Sequence, residues 1–145
     1  MINVRAMQEC DVEQVGCIEK ELFSQPWSCQ GFLDALQLEN TIFLVAGENE
    51  KIVGYIGLYY SFDEGEITNV AVALQHRRRG IGDLLIREMK KEAEKHSLSR
   101  IVLEVRVSNC GAISLYEKND FVKLGIRKGF YEMPKEDAYI MNYGQ

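Results

Sequence analysis

The chain has 145 residues and a formal net charge of -5, with 46% hydrophobic and 27% charged residues. That length suits one domain able to bury its own core without staples, and no apolar run approaches the roughly 18 residues a membrane span requires, so a bilayer role is not expected. A sequence pI of about 5.1 also argues against a nucleic-acid-binding surface.

The first residues, MINVRAMQECDVEQVG, lack the basic segment, apolar stretch and small-residue cleavage site of an export signal, and a cytoplasmic protein is expected. Asp11 with Gln14 has the form of a capping box, and Val12, Val15, Ile18 and Leu22 recur at helical spacing, which predicts a helix over 11–23. QPWS breaks it. Ser28 can cap a second helix with Phe32, Leu33 and Leu36 on its apolar side, so FSQPWS reads as the loop between two helices. TIFLVA, KIVGYIGLYY and EITNVAV, separated by GENE and SFDEG, predict an antiparallel meander of three strands.

Ile81, Leu84, Leu85, Met89 and Ala93 then keep a period near 3.6 through IGDLLIREMKKEAEKH, the clearest helical pattern in the chain. RIVLEVRV is the next strand. It is reached from EITNVAV through that helix, so it should run parallel to a neighbour and be covered on both faces. GAISLYEKND predicts a short helix, and FVKLGIRKGFY with DAYIMNY supplies closing strands. Without a repeat, linker or low-complexity segment, residues 1–145 read as one domain. Cys10, Cys17, Cys29 and Cys110 form no C-x-x-C pair and His76 lies far from His96, so no metal site is expected. The thiols are expected to be free, three of them as small apolar residues in helical stretches.

The basic cluster QHRRRGIGD stands out in an acidic chain. It joins a strand to a helix N-terminus, where free backbone N–H groups and the positive end of the helix dipole favour an anion. Gly80 and Gly82 would let the main chain approach closely, and Arg77, Arg78 and Arg79 would add forked donors, a combination suited to a diphosphate. A Walker loop needs Lys after the second glycine, where Asp83 stands, and a dinucleotide fingerprint needs glycine where Leu85 stands. On RRRG alone, a solvated basic loop is the better reading.

Context changes that. The ordered blocks ITNVAV, RRRGIGDLLI, LEVRVSN and AISLYEKNDF resemble the GNAT superfamily of acetyl-CoA-dependent N-acetyltransferases, whose diphosphate loop pattern [RQ]-x-x-G-x-[GA] is met by Arg77, Gly80 and Gly82. The resemblance implies an α+β fold: a central mixed, mostly antiparallel sheet with a splayed parallel pair, flanked by helices. FSQPWS, LEVRVSN, LYEKNDF and RKGFYEMPKEDAYIM further resemble the bacterial ribosomal-protein-alanine N-acetyltransferases, which modify the N-terminal alanine of the eighteenth protein of the small ribosomal subunit. Two positions depart from that family, which usually has Gly-Phe at Asp120-Phe121 and two tyrosines at Phe130-Tyr131.

What the resemblance implies for the site is specific. The main chain of Val70, Ala71 and Val72 would bind the pantetheine arm of acetyl-CoA, the loop from Arg77 through Arg78, Arg79, Gly80, Ile81 and Gly82 its diphosphate, and Asn109 a further part of the cofactor. Glu104 would be the general base and Tyr116 the acid that protonates the departing thiolate, with Trp27 and Tyr131 against the acceptor peptide. Each has a plain structural alternative: sheet packing for residues 70–72, a helix cap for Asn109, an ion pair with Arg106 for Glu104, a core tyrosine for Tyr116 and ordinary packing for Trp27 and Tyr131.

Attack on a thioester needs a neutral amine. An α-amine of pKa near 7.7–8.0 is already about 10–15% neutral at pH 7, a lysine near 10.4 only about 0.04%, so N-terminal acetylation asks for a modest base. An enzyme acting on a small-molecule amine or on lysine, and a noncatalytic acetyl-CoA sensor, remain the alternatives; the sensor would need neither Glu104 nor Tyr116.

Overall fold

The computed structural model describes residues 1–144. Strand β1 (Asn3–Ala6) precedes helices α1 (Val12–Leu22) and α2 (Cys29–Gln37), and strands β2 (Thr41–Glu48), β3 (Lys51–Ser61) and β4 (Glu64–Val72) follow. Helix α3 (Ile81–Lys95) leads to β5 (Arg100–Arg106), α4 (Cys110–Lys118), β6 (Val122–Tyr131) and β7 (Glu136–Gly144). Among these residues the strands form one seven-stranded sheet in the order β1-β2-β3-β4-β5-β7-β6. Every neighbouring pair is antiparallel except β4 with β5, which the α3 crossover makes parallel.

Two cores sandwich the sheet. On one face α1 and α2 bury Val12, Val15, Ile18 and Phe32 against Phe43, Val45 and Tyr55. On the other, α3 and α4 set Ile81, Leu85, Ile86, Met89, Ile113 and Tyr116 over Ile56, Leu58, Leu103 and Val105. The mixed α+β architecture, the meander β2-β3-β4 and the parallel strand at RIVLEVR all agree with the expectation. Among the described residues no helix is long and apolar enough to cross a membrane.

Four details differ. Strand β1 was not anticipated, because an exposed four-residue edge strand needs no alternating apolar pattern and takes its order from pairing with β2. Asp11 and Gln14 form no capping box. Asp11 instead accepts from the Gln8 N–H at 2.8 Å and pairs with both guanidinium nitrogens of Arg5, at 2.7 and 2.8 Å, while the Gln14 side chain accepts from the Ile52 N–H at 2.9 Å. The Arg5 bonds hold the Asp11 carboxyl below its ordinary range against the cost of burial. On α3 the buried stripe includes Ile86, and Leu84 is only half-buried. All four cysteines are exposed, because they fall on the outer sides of their helices and turns rather than in the apolar stripe.

Candidate active site

Strands β4 and β5 pair only where Glu64, Gly65 and Glu66 meet Arg100, Ile101 and Val102. Beyond that the strands part, β4 running on to Val72 and β5 to Arg106, and the wedge between them opens into a cavity of about 1030 Å³. Val70, Ala71 and Val72 line one wall and Leu103, Glu104 and Val105 the other. On the side facing β5 no strand pairs with residues 70–72, which leaves main-chain groups at the cavity edge available to an extended amide-bearing arm.

One end of the cavity is the basic loop. Gly80 is the N-cap of α3 and provides no side-chain cap, so the first N–H groups of the 15-residue helix are unclaimed by any side chain there. Its φ of +77° is a left-handed conformation suited to glycine, and a Cβ added there would meet nothing within 4 Å, so the main chain is open to close approach. Gly82 serves differently: a Cβ there would sit 3.0 Å from the Leu115 side chain, so its lack of one allows α3 to lie close against α4. Arg77 and Arg78 line the cavity, the former donating through Nε to the Val72 carbonyl at 3.3 Å. Arg79 does not. It turns to the β2–β3 corner and forks onto Glu48 at 2.6 and 2.9 Å, with His76 beside it, so of the three expected arginines Arg77 and Arg78 border the cavity and Arg79 is turned away from it. Ile81 lines the cavity but its side chain is buried in the α3 core.

The other end is enclosed by the α1–α2 loop and the β6–β7 loop. Trp27 stacks among Phe32, Phe43 and Tyr59 at centroid distances of 5.2, 6.3 and 6.4 Å, and its backbone N–H donates to the buried Glu19 carboxylate at 3.0 Å. The Tyr55 hydroxyl donates to the same carboxylate. Trp27 thus packs as a core residue and lines the cavity as well. Tyr131, the last residue of β6, reaches in from the opposite side with the Arg106 guanidinium 4.4 Å from its ring centroid. Burial first, then the Glu104 charge, pushes its hydroxyl up to about 12, so it is a neutral phenol.

Glu104 lies between the two ends. Its ion-pair partner is Arg127 of β6, at 3.0 Å, not the neighbouring Arg106, which is held by Glu136 at 3.1 Å and by the carbonyls of Glu132 and Pro134. Glu104 and Arg106 share a face of β5, yet the Glu104 carboxylate turns to Arg127, which reaches it from β6 across the intervening β7. Tyr116 on α4 is buried against Phe121 at 5.8 Å yet lines the same cavity, and burial, with a smaller contribution from Tyr131, raises its pKa above the ordinary phenol value. Asn109 caps α4 by accepting from the Ala112 N–H at 3.2 Å and also borders the cavity. Sequence reasoning missed Glu19, Arg127 and Glu66. Burial chiefly, then the contact with Glu104, raises the Glu66 carboxyl. None of these three carried a motif of its own, since each gains its meaning from a partner on another element.

A splayed parallel pair thus leads through a glycine loop to an uncapped helix end. The chain belongs to the acetyltransferase (GNAT) family, whose model matches residues 12–121. It is an N-acetyltransferase with acetyl-CoA as cosubstrate. It is 31% identical over 143 residues to the [ribosomal protein bS18]-alanine N-acetyltransferase of Escherichia coli (strain K12), covering 97% of this chain and 96% of that one. It is 33% identical over 144 residues to an N-alpha-acetyltransferase of Saccharolobus solfataricus, covering 90% of this chain and 86% of the relative. The crystal structure of the ribosomal-protein-S18-alanine N-acetyltransferase from Escherichia coli superposes with a TM-score of 0.92 at 30% identity, over 99% of this chain and 94% of that one.

Proposed function

We propose that this enzyme acetylates the N-terminal α-amine of a protein, and that its acceptor is the N-terminal alanine of the eighteenth protein of the small ribosomal subunit. The observation that carries the reading is the placing of Glu104 and Tyr116 on one cavity that runs from the basic loop to the mouth between Trp27 and Tyr131. The two relatives above, one named for that alanine and one for α-amines, support the acceptor class.

Bound acetyl-CoA supplies the thioester carbonyl that the amine attacks. The main chain of Val70, Ala71 and Val72 holds the pantetheine arm, and the free N–H groups from Gly80 to Gly82, with Arg77 and Arg78, hold the diphosphate. Asn109 borders the arm while capping α4. Glu104 removes a proton from the acceptor ammonium, and Arg127 holds its side chain in place. The Tyr116 hydroxyl, neutral because it is buried, donates its proton to the departing sulfur. Trp27 and Tyr131 bracket the first residues of the peptide, and two aromatic walls leave room for a narrow extended chain.

The test is mass spectrometry of two synthetic peptides with purified enzyme and acetyl-CoA: one with a free N-terminal alanine and an internal lysine, the other identical but blocked at its N-terminus. Acetylation of the first at its α-amine alone, with the blocked peptide inert, is the expected result. Equal labelling of the lysine would move the enzyme to the lysine-acetylating reading.

A further inference from the structure

Helix α1 buries Val12, Val15 and Ile18 against the sheet, and Glu19, four residues after Val15, falls on the same side. A glutamate in an apolar stripe breaks the pattern the rest of the helix keeps, which points to a role other than packing. Glu19 is 3% exposed and takes part in no ion pair among the described residues. Hydrogen bonds offset its burial instead: one side-chain oxygen accepts from the buried Tyr55 hydroxyl of β3, the other from the Trp27 N–H at 3.0 Å. Its main-chain carbonyl also accepts from the Phe23 N–H at 3.0 Å. One residue thus clips both ends of the loop segment 23–27. Between the clips, Ser24, Gln25 and Pro26 are exposed and make no main-chain hydrogen bond among the described residues. Phe23, Ser24, Gln25 and Trp27 all line the cavity.

We propose that Glu19 is a positioning residue for the acceptor: its side chain ties the α1–α2 loop to β3 and so fixes the wall against which the peptide binds. The proposal rests on the reading of the Trp27 end of the cavity as the acceptor site. Tyr55 is held within the sheet and by its ring against Phe32, at a centroid distance of 5.6 Å. The line from Tyr55 through Glu19 to Trp27 is therefore a strut from a rigid strand to an exposed loop. Apolar packing around the Trp27 ring is non-directional, whereas hydrogen bonds to one side chain set where the loop's main chain lies. A loop already ordered when the peptide arrives loses less entropy on binding, so the strut acts on acceptor affinity and not on the chemical step.

Two substitutions separate the bonds from everything else at the position. Glu19→Leu removes both side-chain acceptors while keeping a side chain of similar reach in the apolar stripe. Glu19→Gln keeps both bonds, since its carbonyl oxygen can accept from the Trp27 N–H while its amide donates to the Tyr55 hydroxyl oxygen. Tyr55→Phe removes one donor, leaves Glu19 itself in place and keeps the ring against Phe32. Trp27 is the chain's single tryptophan, so its fluorescence reports on the loop directly.

The experiment pairs acrylamide quenching of Trp27 in the intact enzyme with steady-state kinetics at saturating acetyl-CoA, using a tryptophan-free peptide with a free N-terminal alanine. In Glu19→Leu quenching should rise and peptide KM increase by about 10-fold, while kcat and acetyl-CoA affinity change by no more than about 3-fold. Glu19→Gln should return both readouts toward wild type. Tyr55→Phe should move both in the same direction by less, and if Glu19→Leu does not fold, an unmoved Tyr55→Phe overturns the proposal by itself. Unchanged quenching in Glu19→Leu overturns the strut and leaves the acceptor reading standing. Raised quenching with an unchanged peptide KM overturns the proposal at the acceptor reading, because the loop would then loosen without touching the peptide. Glu19→Gln as impaired as Glu19→Leu overturns it as well, since the charge and not the bonds would then matter.

Discussion

The two halves of the cleft are made of different material. The half we assign to the cofactor is mostly main chain, from the unpaired edge of Val70–Val72 to the uncapped start of α3, and its elements are close together in the chain. The half we assign to the acceptor is mostly side chain, with Trp27 held through Glu19, Glu104 through Arg127 and Tyr131 under Arg106, drawn from four separate elements. A backbone site tolerates change in most side chains, since N–H groups remain whatever they carry. A side-chain site does not, because each charged group there is held by particular partners on other elements.

That contrast can be broken in several ways. The largest effect should come from the acceptor half: Glu104→Gln should lower kcat/KM by roughly 10²- to 10³-fold near neutral pH, with the deficit shrinking as pH rises above the amine pKa. A pH–rate profile with a deficit constant at high pH would mean that Glu104 positions rather than deprotonates. Next is Tyr116→Phe, expected to lower turnover by roughly 10²-fold while acetyl-CoA affinity changes little, because the ring still packs on Phe121. Near wild-type thiol release in that variant would return Tyr116 to the core.

In the cofactor half the arginines give an internal control. Arg78→Ala should weaken acetyl-CoA binding by roughly 10-fold, the cost of a charge-assisted hydrogen bond to phosphate, whereas Arg79→Ala, already committed to Glu48, should change it by no more than about 3-fold. Calorimetry that found the two equal would erase the distinction between lining and turned-away arginines. The smallest effect concerns Asp120, which follows α4 at a φ of +71°, the left-handed position where the resembling family has glycine. Asp120→Gly should raise stability by about 0.5 kcal/mol in thermal unfolding and leave catalysis unchanged, since Asp120 is exposed and, among the described residues, its side chain pairs only with Lys90, at 3.9 Å. The second departure is quieter still: Phe130 is exposed, and the half-buried Tyr131 keeps its place on the cavity.

How far each half could be read in advance follows its material. Hydrophobic period placed α1, α3 and the β2–β4 meander, because amphipathic faces repeat locally, and the run from NVAV to RRRGIG exposed the cofactor loop because its parts lie within one short stretch. Glu104 and Tyr116 were found only through resemblance of the blocks around them. Strand β1 escaped because exposed edges carry no pattern, and the Asp11 cap was misread because Arg5 outcompetes local capping geometry.

By itself the sequence determined the elements, their order, the parallel crossover at α3 and a glycine loop at a helix start, since these depend on contacts between near neighbours in the chain. Tertiary structure alone decided which arginines border the cavity and which cation holds Glu104. The second depends on strand register from β5 through β7 to β6, and a side chain two residues out of register faces a different partner altogether.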